Sequence, residues 1–430
     1  MSCPKRARVA TAPWASLPED LVQLIGWRVL SGDLLDYVRF RAVCAHWSRS
    51  ATHPGGRGLL DPRFHPRRWM LLPEGHGLYP GHPALGGHGL YPGHPALGGH
   101  ARFLNLSTGA LTRLHLPLFH DHVLLGCTDG LLLLLRHRDP GDTAVRLLHP
   151  FTGDIAELPP LSSLLPQMEH YGNMTEDRKR HTLRVSAAVT VGPATAGAIT
   201  VMLALEIKQL VAHATTGDQR WTLSAGRLPC LLGPTVSFHG NLYAVTPKSA
   251  QRNSVCIWQI DAPQPDAAEG RRRRSLLPSR IIAHCPLAAT EGAVNLVECG
   301  SELMLVGFSD AKPTGLVVYR VADLISGRVV SITDIGEHAL FLGQRPLYAS
   351  QNKGLPSVVA NSITCRYRVT KNNPLRGGRA SRSTEQYHIG TGCGTWSPAI
   401  DGDISCWDRP PASPYMLIHH IFTCCVTLSY

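Results

Sequence analysis

Apolar residues recur at helical spacing between Leu17 and Trp47, whereas from about Trp69 onward they come in short runs separated by turn residues, which is strand behaviour. In the first stretch Leu21, Leu24 and Ile25 stand at i, i+3 and i+4, the stripe of an amphipathic helix. Ser16 and Glu19 have capping-box spacing, and Pro18 costs little in a first turn whose N–H groups lack intrahelical partners. Gly32-Asp33 breaks the run, and Asp33 is placed to cap a second helix carrying Leu34, Leu35 and Val38. A third helix is expected to set Val43 and Trp47 four residues apart on one face. About 35 residues make a poor core alone, so this reads as a docking piece completed by a partner.

The strand region repeats one layout. Arg102–Gly109 leads into Leu111–Pro117, Val145–Gly153 into Asp154–Pro160, and Leu210–Gly217 into Gln219–Leu223. Each is a strand, a Thr-Gly turn and a second strand, which turn chemistry reads as a β-hairpin. Val236–Val245 and Leu296–Val306 are further hairpins with a polar, Gly-containing turn. So many short strand edges in one domain are commonly covered by radial stacking of small sheets. The expected fold is therefore mainly β, with a small all-α N-terminal unit followed by a β-propeller of six or seven blades; a β-sandwich pair is the alternative. The expected division is a basic tail at 1–12, the helical motif at 13–52, a linker at 53–100 and the propeller at 101–430. Within the linker, Gly75–Gly86 is repeated letter for letter at Gly87–Gly98, giving regularly spaced His76, His82, His88, His94 and His100. Its Gly and Pro content predicts a surface loop, with opportunistic transition-metal binding as its minor reading.

The opening motif, Leu17-Pro18, Leu21, Ile25, Val38, Phe40-Arg41, Val43-Cys44 and Trp47, resembles the F-box, by which substrate receptors of SCF-type ubiquitin ligases bind the adaptor Skp1. It departs from the common pattern at Trp27-Arg28-Val29 and at Ser48. With the Leu147–Pro160 hairpin, Asp334–Gly343 and the ending Pro398–Asp403 and Arg409–Phe422, nearly the whole chain resembles plant F-box proteins carrying the domain of unknown function 295. That resemblance implies a propeller-like C-terminal domain and a receptor role in ubiquitination without specifying the target. It implies an adaptor interface of Leu17, Pro18, Leu21, Ile25, Val38, Val43, Cys44 and Trp47, a Skp1-like partner and, through it, cullin.

Composition narrows this reading. No apolar run approaches the ~20 residues of a membrane span, and no secretory h-region opens the chain, so an intracellular, soluble protein is expected. The net charge of +11 raises the question of nucleic acid. The basic runs Arg178–Arg180 and Arg271–Arg274 lack interleaved aromatics, so nucleic-acid binding is not expected. Lys5, Arg6 and Arg8 form a short basic run resembling a nuclear-import signal, which places the protein in nucleus, cytoplasm or both. Twelve scattered cysteines without a CxxC pair read as free thiols. His419-His420 and Cys424-Cys425 sit among apolar residues, and Asp401 and Asp403 read as a turn. The sequons at Asn105 and Asn173 are expected to be idle.

No GxSxG, HExxH or P-loop occurs, and Gly390–Gly394 lacks dinucleotide-fingerprint spacing. No cofactor is implied. His338 is expected to be structural. The expected function is non-catalytic target recognition; a scaffold uncoupled from ubiquitination, or a hydrolase with its site in a propeller channel, are the alternatives.

Overall fold

The computed structural model describes residues 14–72, 99–136, 143–168, 185–192, 197–224, 228, 231–248, 254–263, 279–287, 294–308, 316–343, 345–356, 358–369, 381–390 and 394–395. A 3-10 turn at Trp14–Ser16 precedes α1 (Glu19–Gly32), α2 (Leu34–Arg41) and α3 (Ala45–Ser50). The expected capping box does not form: α1 starts at Glu19 with Pro18 as its N-cap and no side-chain cap. Proline pushes the preceding residue out of the helical region, so the helix cannot begin before it. Glu19 and Asp20 instead place negative charge beside the first-turn dipole. The buried positions of α1 are Val22, Gly26 and Leu30, four apart, rather than the expected stripe. At Gly26 a Cβ would lie 3.3 Å from the rings of both Tyr37 and Phe40, so glycine sets how closely α1 and α2 approach.

Asp33 caps α2 as expected, its Oδ1 accepting from the backbone N–H groups of Leu35 and Asp36 at 2.8 and 3.1 Å. The third helix differs from its expected start, because Cys44 is its N-cap and Val43 lies ahead of it in the connection.

Six sheets follow. The first blade is β1 (Trp69–Leu71), β2 (His100–Asn105) and β3 (Leu111–His115). The second is β4 (His122–Thr128), β5 (Leu131–Arg136), β6 (Val145–Leu148) and β7 (Ile155–Leu158). The third runs β8 (Val185–Val191), β9 (Ile199–Leu205), β10 (Leu210–Thr215) and β11 (Thr222–Leu223). The fourth holds β12 (Val236–Phe238), β13 (Asn241–Pro247), β14 (Val255–Ile260) and β15 (Arg280–Cys285). The fifth is β16 (Asn295–Cys299), β17 (Glu302–Phe308), β18 (Leu316–Arg320) and β19 (Ser331–Ile332). The sixth comprises β20 (His338–Leu342), β21 (Leu347–Ser350), β22 (Ser362–Val369), β23 (Ser381–His388) and β24 (Gly394–Thr395).

Blades two to five are plain antiparallel meanders, so six blades settle the expected six or seven and exclude the sandwich. The sixth departs, with order β21-β20-β22-β23-β24 and a parallel β20–β22 pair. The Thr-Gly turns join β2 to β3, β6 to β7 and β10 to β11, and Gly109, Gly153 and Gly217 all have positive φ. That backbone region is inexpensive only for glycine, which is why the sequence marks these hairpins so clearly. β1 pairs with β2 and lies within residues 53–100, read from sequence as linker.

Each neighbouring pair of blades shares an apolar core. Leu133, Val201 and Trp221 join the second and third, Met202 and Ile260 the third and fourth, and Ile257 and Leu305 the fourth and fifth. Val306 and Ile363 join the fifth and sixth, Phe341 and Leu104 the sixth and first, and Phe103 and Leu132 the first and second. The ring is thereby closed by packing.

Candidate functional site

The helices build a core of their own from Val22, Leu30, Leu34, Tyr37, Phe40, Ala51 and Phe64, all buried. Trp27 stacks on Tyr37 at 6.3 Å, and Phe64 lies against both rings. Outside that core Trp14 is 73% exposed, Leu24 66% and Val43 63%, with Leu21 and Val38 also open. Of the residues expected to meet an adaptor, Pro18, Leu21, Val38 and Val43 are exposed, while Leu17, Ile25, Cys44 and Trp47 are half-buried. Trp47 packs 4.6 Å from Phe40 and donates its indole N–H to the Trp14 carbonyl. The Leu17 carbonyl meets His46 Nε2 at 2.7 Å. The structure thus divides the expected set into side chains that hold the unit together and side chains that face outward. Trp14 and Leu24 join the outward group; Leu24 was legible as apolar at helical spacing, but its direction was not.

The unit is fastened to the propeller by groups drawn from three hairpins. Asp33 Oδ2 accepts from Trp69 Nε1 at 2.8 Å and from Asn105 Nδ2 at 2.7 Å, so one carboxylate caps α2 and grips the first blade. Asn105 is fully buried, and its Oδ1 accepts from the N–H groups of Ser107 and Thr108. Both ends of the Asn105 amide are thus hydrogen-bonded within the fold.

The second clamp is the turn of the Leu147–Pro160 hairpin. Buried His149 accepts from Thr152 N–H on Nδ1, so Nε2 carries the proton and donates to the Phe64 carbonyl at 3.0 Å. Burial lowers its pKa, keeping the ring neutral. Asp154 accepts from Gly56 and Gly58 N–H at 2.9 and 2.8 Å. At Gly58 a Cβ would stand 2.5 Å from Thr152 Oγ1, so only glycine admits this approach. Phe151 fills the space between Trp69 and Phe103, with ring centroids 5.1 and 5.7 Å away.

The third clamp lies where the innermost strands end. Pro66 packs on the β4–β5 turn so closely that a Cβ at Gly130 would overlap its carbonyl. Asp129, in that turn with φ +51°, pairs with Arg67 Nε at 3.5 Å and His65 Nδ1 at 3.8 Å. Burial works against its charge, but His65, Arg67 and His239 hold its pKa below the ordinary value. Glu298 on β16 is in the opposite state: burial and the Asp129 charge push it up to about 7 against Arg67. Across the middle of the ring Thr128 Oγ1 donates to Ser237 Oγ at 3.2 Å, tying β4 to β12. His338 is held as expected of a structural residue, with Nδ1 3.0 Å from Ser350 Oγ and its ring edge-on to Tyr348. Sequence reasoning missed Asp129, His149 and Glu298, because each acquires its role from a partner more than sixty residues away.

Among the described residues no group of three or more His, Cys, Asp or Glu side chains could hold a metal ion, and no helix is long and apolar enough to cross a membrane. Cys44, Cys127, Cys256, Cys285, Cys299 and Cys365 are free thiols. Burial pushes Cys285 and Cys299 up to about 12. Lys5, Arg6, Arg8, His76, His82, His88, His94, Asn173, Arg178–Arg180, Arg271–Arg274, Asp401, Asp403, His419, His420, Cys424 and Cys425 lie outside the described residues.

Residues 103–369, more than half of the chain, match the family model of the KIB1-4 beta-propeller; the match leaves the three helices outside it. No curated protein matches the chain. A solved Mycobacterium tuberculosis puromycin-hydrolyzing peptidase aligns at 10% identity and a TM-score of 0.27 over 78% of this chain and 54% of that one. The chain therefore spans about half the length of that protein, and likeness at this level carries no argument.

Proposed function

The chain belongs to the KIB1-4 β-propeller family, a family found in F-box proteins, and from that premise we propose that it is the target-recognition subunit of an SCF-type ubiquitin ligase. The helical unit docks on a Skp1-like adaptor and, through it, on cullin; the propeller binds the protein to be ubiquitinated. The ubiquitin chemistry takes place on other subunits. The basic run at Lys5, Arg6 and Arg8 serves nuclear entry.

One observation carries the reading: a three-helix unit with its own small core exposes Trp14, Leu21, Leu24, Val38 and Val43 while being locked to the ring. Large apolar side chains left open in one short segment mark an interaction surface, and helices that present them suit a helix-in-groove or helix-packing partner. The rigid attachment supports the same reading, because a receptor must hold its cargo at a fixed distance from the adaptor.

The test is co-purification of the full chain with a Skp1-like adaptor. Leu24→Asp combined with Val43→Asp should lower adaptor affinity at least about 100-fold, the scale of two central anchors, with little change in melting temperature. Undiminished binding by this folded variant would sink the proposal. Proteasome inhibition that raised no bound protein's abundance would move the reading to the uncoupled scaffold.

A further inference from the structure

The first blade stops one strand short of its neighbours. Blades two to five have four strands each, whereas the first ends at β3, along whose outer edge no strand pairs among the described residues. Leu116 N–H donates to the Gly99 carbonyl and Asn105 N–H to the Ala110 carbonyl, which fixes the alternation of the β2–β3 ladder. Thr112 and Leu114 therefore bond to β2, and the backbone N–H and C=O groups of Leu111, Arg113 and His115 point away from it. The side chains of these same three residues are exposed and share one face. Across the ladder they stand opposite Leu104, Arg102 and His100, with the His100 and His115 rings 4.9 Å apart. Arg102 and Arg113 thus set like charges in a closely spaced pair, which costs stability unless an anion lies beside them. No acidic residue occurs in β1, β2 or β3.

We propose that the β3 edge is a docking site for an acidic, extended segment of another protein, which joins the first blade as an antiparallel fourth strand. Main-chain hydrogen bonds to Leu111, Arg113 and His115 hold the segment, and side chains on the shared face select it. The residue opposite Arg113 lies on the same face as the guanidinium, so a carboxylate there makes a charge-assisted contact. Its next-but-one neighbours stand opposite His115 and Leu111, which suit a second acid and an apolar residue. Read from the segment's N-terminus, the recognised pattern is acid-x-acid-x-apolar. A second copy of β3 does not fit, because pairing centred on Arg113 would bring two guanidinium groups together; charge on an edge strand repels its own kind. The outer edge of the second blade differs, since Glu157 on β7 is already paired with Arg146 at 2.9 Å. Docking at β3 uses no part of the helical unit, so its failure would leave the adaptor reading standing.

The experiment titrates the full chain into a fluorescein-labelled peptide, Thr-Glu-Thr-Glu-Thr-Ile-Thr, and reads binding by fluorescence anisotropy. The peptide should bind, and its counterpart with lysines in place of the glutamates should not. N-methylation of the second glutamate, whose N–H faces the Arg113 carbonyl, should weaken binding at least tenfold. N-methylation of the threonine after it, whose N–H faces away, should leave affinity unchanged. Arg113→Glu should lose the acidic peptide at least tenfold and take up the lysine peptide, at unchanged melting temperature. The proposal is overturned if the two N-methylations act alike, which would reduce the edge to a basic patch, or if the lysine peptide binds the unaltered chain equally well. It is also overturned if nothing binds up to about 1 mM, the result expected were the edge covered by this chain's own residues. A dimer in analytical ultracentrifugation that excess peptide fails to dissociate, and that Arg113→Glu alters, would assign the edge to a second copy instead.

Discussion

In the propeller every sheet buries its faces against two neighbours; among the described residues Leu111, Ile155 and Ile281 remain open on the outer-edge strands β3, β7 and β15, as do Val359 and, between β18 and β19, Ile325, Val329 and Val330. The helical unit, in contrast, leaves five large apolar side chains open between Trp14 and Val43. The difference is geometric. A ring supplies each sheet with a neighbour on either side, so its apolar faces are satisfied within the chain. Three short helices enclose one seam, and on its far side Leu21, Leu24, Val38 and Val43 meet no covering partner among the described residues. Exposed apolar surface is therefore concentrated in the helical unit, with a smaller group, Ile325, Val329 and Val330, on the ring.

The comparison can be broken at the junction, and the largest effect is expected at Phe64. This ring is fully buried under Trp27 and Tyr37, so Phe64→Ala should cost about 3–5 kcal/mol and release the helices. Limited proteolysis should then cleave the helical unit first and leave the propeller resistant; simultaneous loss of both would show them to be a single cooperative unit.

Asp33→Ala comes next. It removes the α2 cap and strips the acceptor from the Trp69 and Asn105 donors, for a loss of about 2–3 kcal/mol in thermal or denaturant unfolding. A change under about 0.5 kcal/mol would mean that the clamp is dispensable.

A pH effect probes the ring side. Glu298 has its folded-state pKa raised from 4.5 to about 7. Between those values the folded state holds the extra proton, so this group's contribution to stability declines as pH rises from 4.5 to about 7 and is flat above that. Glu298→Gln should remove that slope and be relatively more stabilising at pH 8 than at pH 5. Parallel melting-temperature profiles for the two proteins across this range would refute the assignment.

The smallest effect belongs to Arg39, whose 2.9 Å pair with Asp36 lies in solvent on α2. Arg39→Ala should change stability by no more than about 0.5 kcal/mol, and a larger shift would reveal a packing role for its stem.

Several particulars were legible in the letters. The Thr-Gly turns fixed three outer hairpins because positive φ selects glycine, and Asp33 was recognisable as a cap from its position after Gly32. The capping box at Ser16 failed because a spacing rule competed with the rigid geometry of Pro18, and the proline won. Val43 matched helical periodicity with Trp47, yet α3 starts after it. Of the adaptor-facing residues, periodicity identified apolar character but not direction, so Ile25 turned inward while its neighbour Leu24 turned out.

Local chemistry determined what each segment is: where a helix is capped, where a hairpin turns, which runs are apolar. These preferences act over a few residues and are written in adjacent positions. Tertiary structure alone decided that His149 holds Phe64, that the second oxygen of Asp33 reaches Trp69 and Asn105, and that Asp129 and Glu298 share a buried space. It also decided the blade number and the irregular sixth sheet. Those outcomes depend on how the ring closes and on which groups desolvation then forces into partnership, quantities that belong to the assembled volume and have no signature in a stretch of sequence.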